Sequence, residues 1–138
     1  MAKTSGLAAT VSVDNSAGSL KDISIDVGDF DISLPQNLLD VTGVSKSAFE
    51  RIIGLGDGTI TLNGFFDSAS NLAHDVFKTR TGVRTTTIVL YVSGSSDPQI
   101  SMECLVANYN ISRGSDGSLT WNAVLQLQDG TVPVYSTS

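Results

Sequence analysis

The sequence has 138 residues, 41% of them apolar and 16% charged, with a mean hydropathy of +0.13; this excludes a disordered chain and fits one ordinary domain spanning residues 1–138. Fourteen Asp and Glu against eight Lys and Arg give a net charge of −6, which argues against a conventional nucleic-acid-binding module, since gripping phosphates takes a basic patch. One Cys excludes an intramolecular disulfide, and one His excludes a His-rich metal site.

The opening Met1–Gly6 carries no basic stretch followed by an apolar core, so no signal peptide is expected. No run reaches the roughly 18 apolar residues of a membrane helix. A reducing cytoplasm is the expected place of synthesis. Alternation of period two then dominates. Leu7, Ala9, Val11 and Val13 share one face; Ile23, Ile25 and Val27 oppose Asp22, Ser24 and Asp26; Phe30, Ile32 and Leu34 oppose Asp29, Asp31 and Ser33. Strands with one buried face read this way, and Pro35 ends the run because it lacks a ladder N–H.

Further strands are predicted at 38–42, 48–54, 59–66, 85–92, 99–111 and 118–128. In the last, Leu119, Trp121, Ala123, Leu125 and Leu127 share a face. Along 99–111 the apolar set changes face, from Met102, Cys104 and Val106 to Leu105, Ala107, Tyr109 and Ile111, which fits a strand buried on both sides or broken by a bulge. Asp57-Gly58 and Asp116-Gly117 each precede an alternating strand and are read as hairpin turns. One helix is predicted, capped by Ser68 or Ser70, with Leu72/Val76 and Ala73/Phe77 as i,i+4 pairs and Gly82 past its end. The expected architecture is mainly β, a sandwich or partial barrel with one flanking helix.

Catalytic chemistry is poorly supplied. His74 lies mid-helix beside Asp75, no Gly-x-Ser-x-Gly elbow accompanies it, and it reads as a solvent-facing residue. Cys104, inside an apolar strand, reads as inert packing. Gly54-Leu55-Gly56-Asp57-Gly58 feeds a strand rather than a helix and lacks the Lys of a phosphate loop, so it is read as a turn. No metal, cofactor or catalytic residue is assigned. The informative charge feature is the stretch from Asp14 to Asp40, with six carboxylates and the single cation Lys21. Counted from Asp22, an EF-hand loop fails at Val27 and Ser33. A weak calcium site and a solvated strand face stay open beside a third reading, a surface that lets a polyanion pass without sticking.

The order of segments resembles the major tail tube proteins of long-tailed bacteriophages, which are related to contractile-tail and secretion-system tubes. The resemblance runs along nearly the whole chain. It rests on Asp22-Ile23-Ser24 ahead of a hairpin, Leu39-Asp40-Val41-Thr42-Gly43, the block from Gly54 to Asp67, the helix with Ala73-His74-Asp75-Val76-Phe77, the strand around Cys104–Ile111 and the closing Asp116-Gly117 to Trp121 hairpin. It implies a homohexameric ring stacked into a hollow tube in the virion tail, with an inner β-barrel shared between subunits and DNA passing through the lumen without specific binding. It implies assembly in the host bacterium's cytoplasm around a tape-measure protein, with terminator or tip proteins as further partners and no membrane. On this reading Asp22, Asp26, Asp29 and Asp31 are expected to face the lumen. Ring stacking is expected from the N-terminal arm (Lys3, Thr4, Ser5, Gly6, Leu7), the loop Pro35, Gln36, Asn37 and Leu38, and the tail Val132, Pro133, Val134 and Tyr135. A β-sandwich ligand-binding module, for instance for carbohydrate, and a small hydrolase are the alternatives. The first needs exposed aromatics, whereas Trp121 falls on an apolar face.

Overall fold

The computed structural model describes residues 6–92 and 97–137. Its strands are β1 (Thr10–Asp14), β2 (Leu20–Asp22), β3 (Val27–Ser33), β4 (Gln36–Asp40), β5 (Arg51–Gly56), β6 (Thr59–Phe65), β7 (Arg84–Val89), β8 (Pro98–Arg113), β9 (Leu119–Leu127) and β10 (Ser136–Thr137), with one short helix, α1 (Ala73–Phe77). Seven strands form an antiparallel sheet in the order β2-β1-β7-β8-β9-β6-β3, and β10 adds to β8. Strands β4 and β5 pair only with each other, as a separate two-stranded ribbon.

The main sheet cannot be flat. Its six inter-strand gaps would put β2 and β3 about 29 Å apart at ~4.8 Å spacing. Yet only residues 23–26 join them, a link of at most about 19 Å even fully extended. The sheet therefore curls, and its apolar face turns inward. Val11, Val13, Ile60, Leu62, Ile88, Ile100, Met102, Ala123 and Leu125 are buried there, the Val, Ile, Leu and Met side chains each contributing about 1.5–3 kcal/mol where fully withdrawn from water. Helix α1 closes the core with Ala73, Val76 and Phe77, and the Phe77 and Trp121 rings lie 5.7 Å apart. Strand β8 bends at a bulge between Val106 and Asn108, the second of the two arrangements its pattern allows.

Three local expectations need correction. The segment predicted to continue as a strand through Ile25 instead forms a 3₁₀ turn at Ser24–Asp26. The Asp22 carboxylate accepts hydrogen bonds from the Ser24 N–H (2.9 Å) and Oγ (2.6 Å), which stabilises a turn over a ladder. The helix start is not capped by Ser68 or Ser70: the N-cap residue is Leu72, the Asn71 N–H donates to Asp75 Oδ2 (3.0 Å), and the Ala73 N–H donates to Asp26 Oδ2 at 3.1 Å. Asp57-Gly58 is not a hairpin turn but a corner where the chain leaves the ribbon for the main sheet. Gly117, with φ +93°, does turn the β8–β9 hairpin.

Arg84 is fully buried, and no described carboxylate forms a salt bridge with it. Its guanidinium donates to the carbonyls of Thr81 (3.2 Å), Asp14 (3.1 Å), Val76 (2.7 Å) and Thr79. It thereby satisfies carbonyls in and just beyond the last turn of α1, and ties that end to β1.

Candidate functional site

The two potentially reactive side chains are occupied structurally. Burial pushes the Cys104 thiol up to about 11, and its Sγ lies 3.1 Å from Thr86 Oγ1. His74 is not solvent-facing as expected: it is half-buried, its Nδ1 is 3.0 Å from Tyr109 Oη, and its ring packs 4.8 Å from that of Phe66. Among the described residues no group of His, Cys, Asp and Glu is placed to hold a metal ion. No described helix is long and apolar enough to cross a membrane.

What the fold builds instead is surface. Beyond its bulge, β8 pairs with β9 alone, so β8-β9-β6-β3 form a four-stranded half-sheet. On its polar face a row of side chains runs across the strands. Asn122 Nδ2 donates to Asn63 Oδ1 (2.7 Å), and Asn63 Nδ2 donates to Asp29 Oδ1 (2.8 Å). Asp31 lies on the same face, opposite Thr61. No Lys or Arg of these four strands joins this face, because Arg113 pairs with Leu119 in the alternate register.

The four predicted acidic residues do not form one surface. Asp29 and Asp31 do stand together, exposed, on β3. Asp22 lies opposite Ser12 on β2, at the other end of the sheet path. Asp26 is only 5% exposed, turned inward by the 3₁₀ turn. Burial raises its pKa, against the lowering effect of the Ala73 N–H, and the Asp67 charge adds to the rise.

Of the expected stacking segments, Lys3, Thr4 and Ser5 lie outside the described residues, and Gly6 opens a 3₁₀ turn that leaves Leu7 exposed. Pro35–Leu38 is not a loop: Pro35 precedes β4, and Gln36, Asn37 and Leu38 belong to that strand. The tail is tied to the body. Val132 and Pro133 are half-buried, a methyl on Gly56 would fall 2.7 Å from Val132 Cγ2, and Ser136 pairs with Gln99. Only Val134 and Tyr135 of the expected tail residues remain exposed.

The surface that residue patterning did not single out is the β4–β5 ribbon, an arm standing off the body. Leu38, Leu39, Val41, Val44, Phe49, Ile52, Ile53 and Leu55 are all exposed, Phe49 by 71% and Leu55 by 88%. The arm's tip is nonetheless ordered by its own bonds. Asp40 Oδ1 accepts from the Thr42 N–H (3.0 Å) and Oγ1 (2.6 Å), holding the Asp40 carboxyl below its usual range, and the Glu50 N–H donates to Thr42 Oγ1 (2.8 Å). A two-stranded ribbon is marginal by itself, and contiguous apolar surface of this kind marks an interaction site. The signal was present in the sequence. Leu38-Leu39 and Ile52-Ile53 break the apolar–polar alternation that β1 and residues 59–63 of β6 keep.

No protein-family model matches the sequence, and no curated protein does. Solved structures do match. The tail of an empty gene transfer agent particle, determined with C6 symmetry, superimposes at TM-score 0.73 with 13% identity over 99% of each chain. The SPP1 tail tube matches at TM-score 0.73 and 9% identity, over 99% of this chain and 80% of that one. A subunit of the sheath–tube complex of an extracellular contractile injection system matches at TM-score 0.64 and 14% identity, over 99% and 93%. At such identities the likeness speaks for architecture, and it covers the chain from end to end. The protein has the tail-tube fold.

Proposed function

We propose that this chain is a structural subunit of a phage-type tail tube, assembling as stacked hexameric rings around a bore through which DNA passes. The observation that carries the reading is the end-to-end fold likeness to tube subunits, one of them from a C6-symmetric tail.

The half-sheet supports ring closure. Its outer edges are β3, which pairs with β6 only, and residues 105–113 of β8, which pair with β9 only. Three antiparallel steps separate these strands, so β3 and β8 run in opposite directions. A copy related by rotation alone can thus set its β8 beside β3 and continue the antiparallel order, a heterologous contact that closes into a ring. Such closure removes two edges that a monomer would have to defend. The polar face of the half-sheet, carrying Asp29 and Asp31 without a cation, is the face this arrangement directs into the bore. A negative, amide-rich wall repels phosphates and offers them no counterion release.

The remaining roles follow from the same reading: a place in a virion tail, assembly in the host bacterium's cytoplasm, and tape-measure and terminator or tip proteins as partners. The single domain of residues 1–138 acts through repetition, and Leu7, Val134 and Tyr135 are exposed where rings can meet.

Sedimentation and negative-stain microscopy of the purified chain at rising concentration test this reading. Rings and hollow tubes are the expected outcome. Monomers up to the solubility limit, with or without an added tape-measure segment, would overturn it.

A further inference from the structure

A row of polar side chains crosses the half-sheet at one level. Asn110 on β8 stands opposite Asn122 on β9, Asn122 opposite Asn63 on β6, and Asn63 opposite Asp29 on β3. Its side-chain hydrogen bonds run one way: Asn122 Nδ2 donates to Asn63 Oδ1, and Asn63 Nδ2 donates to Asp29 Oδ1. The row therefore ends in a carboxylate at the β3 edge and begins in an amide at the β8 edge. Both end residues are exposed, while Asn63 and Asn122 between them are half-buried. Among the described residues no donor reaches Asp29 Oδ2, and the Asn110 amide makes only a long bond to Ser112 Oγ (3.4 Å) within its own strand.

Closing a ring through these edges needs a register, and apolar patterning alone does not supply one. Slipping β8 by one residue against β3 turns every side chain to the wrong face and is strongly disfavoured. A slip of two residues, about 7 Å, keeps each face as it was, so particular side-chain pairs must decide. In one antiparallel register Asp29 stands opposite Asn110 and Asp31 opposite Asn108, since acids and amides share a two-residue spacing. Neither bulge, between Val27 and Asp29 or between Val106 and Asn108, interrupts 29–31 or 108–110. On the other face the same register sets Phe30 opposite Tyr109, both of which pack on the core. A two-residue slip one way carries Asp31 onto the β8 bulge. The opposite slip sets Asp29 against Ser112 and leaves Asn108 without a carboxylate.

We infer that Asp29 of each copy accepts a hydrogen bond from Asn110 of the next, fixing the register of ring closure and joining the rows into one unbroken amide belt around the bore. The inference rests on the tube reading. Three observations favour a second copy at each edge: the acceptor and donor ends of the row are complementary, the acids and amides are equally spaced, and Phe30 and Tyr109 fall level with each other. The chemistry also suits the place. A bond to a carboxylate is stronger than one between neutral groups. An amide donor, unlike Lys or Arg, brings no positive charge to hold a passing phosphate.

Two experiments on the full chain test the belt. In the first, assembled protein carrying Asp31→Cys with Asn108→Cys is oxidised and run on a denaturing gel; this pair leaves Asp29 and Asn110 in place. It should crosslink neighbouring copies at least about tenfold faster than Ser33→Cys with Asn108→Cys, which reports the slipped register and has the same strand phase. In the second, Asn110→Asp alone sets two carboxylates side by side and should raise the concentration needed for rings at least about tenfold. Adding Asp29→Asn reverses the pair and should restore assembly to near the wild-type concentration. Thermal unfolding of each monomer checks that the body is unchanged. Equal or faster crosslinking through Ser33→Cys, no effect of Asn110→Asp, or no rescue by Asp29→Asn would overturn the belt while leaving the tube standing. A wild-type chain that never forms rings contradicts the tube reading itself, and the belt with it.

Discussion

Strands β5 and β6 are separated by two residues, Asp57 and Gly58, and differ in everything that follows from burial. In β6, Ile60 and Leu62 are fully enclosed, with Thr61 and Asn63 turned outward. In β5, Ile52 and Ile53 point to opposite sides and neither is covered. The first strand is stabilised within its own chain. The second has apolar surface that its own chain leaves exposed, and contiguous surface of this kind marks an interaction site. The difference teaches that one short chain can combine a finished core with an arm that its own body leaves uncovered.

The sharpest way to break this comparison is to truncate one aromatic in each region. Trp121 is 2% exposed, and its Nε1–H donates to the Phe65 carbonyl at 3.1 Å. Trp121→Ala should cost the monomer about 3–5 kcal/mol in urea unfolding through a cavity and a lost hydrogen bond. Phe49→Ala, on the arm, should change monomer stability by less than about 0.5 kcal/mol while weakening polymerisation. Equal losses in the monomer would mean that the arm is part of the folded core.

A smaller effect sharpens the picture from the body's side. Asp26 is a buried carboxyl whose pKa is raised mainly by desolvation. The folded state therefore holds its proton more tightly than the unfolded chain does. The corresponding stability is fully present below the ordinary carboxylate pKa and is lost as pH rises through the raised folded value. Asp26→Asn keeps an oxygen for the Ala73 N–H and removes the charge. Its Tm should exceed the wild type by a few degrees at pH 7 and converge with it near pH 3. A substituted protein less stable than wild type at pH 7 would show that the charge on the α1 start outweighs its desolvation.

The strands of the body were legible because burial on one side imposes a period of two, which holds from Phe30 to Leu34 and from Trp121 to Leu125. The bulge in β8 was legible as a change of apolar face. The turn at Ser24–Asp26 was not, because Ile23, Ile25 and Val27 keep the strand period while the Asp22 carboxylate draws the backbone into a 3₁₀ turn. That turn is also why the acidic quartet dispersed, since it turns Asp26 inward and sends Asp22 to the other end of the sheet. The arm was legible as two strands, and Gln36, Asn37 and Leu38 were expected at a stacking site, but as a loop rather than as part of an apolar ribbon. Leu38-Leu39 and Ile52-Ile53 register only as apolar, and no described part of the chain covers them.

The central claim is that the open edges of the half-sheet are completed by further copies of this protein. A cryo-electron microscopy reconstruction of the polymer formed by the purified chain tests it most directly. The account predicts β3 of each subunit antiparallel to residues 105–113 of β8 in the next, and Asp29 and Asp31 directed into a hollow bore. A closed particle with those edges unpaired, or a tube whose bore is lined by another face, would contradict it.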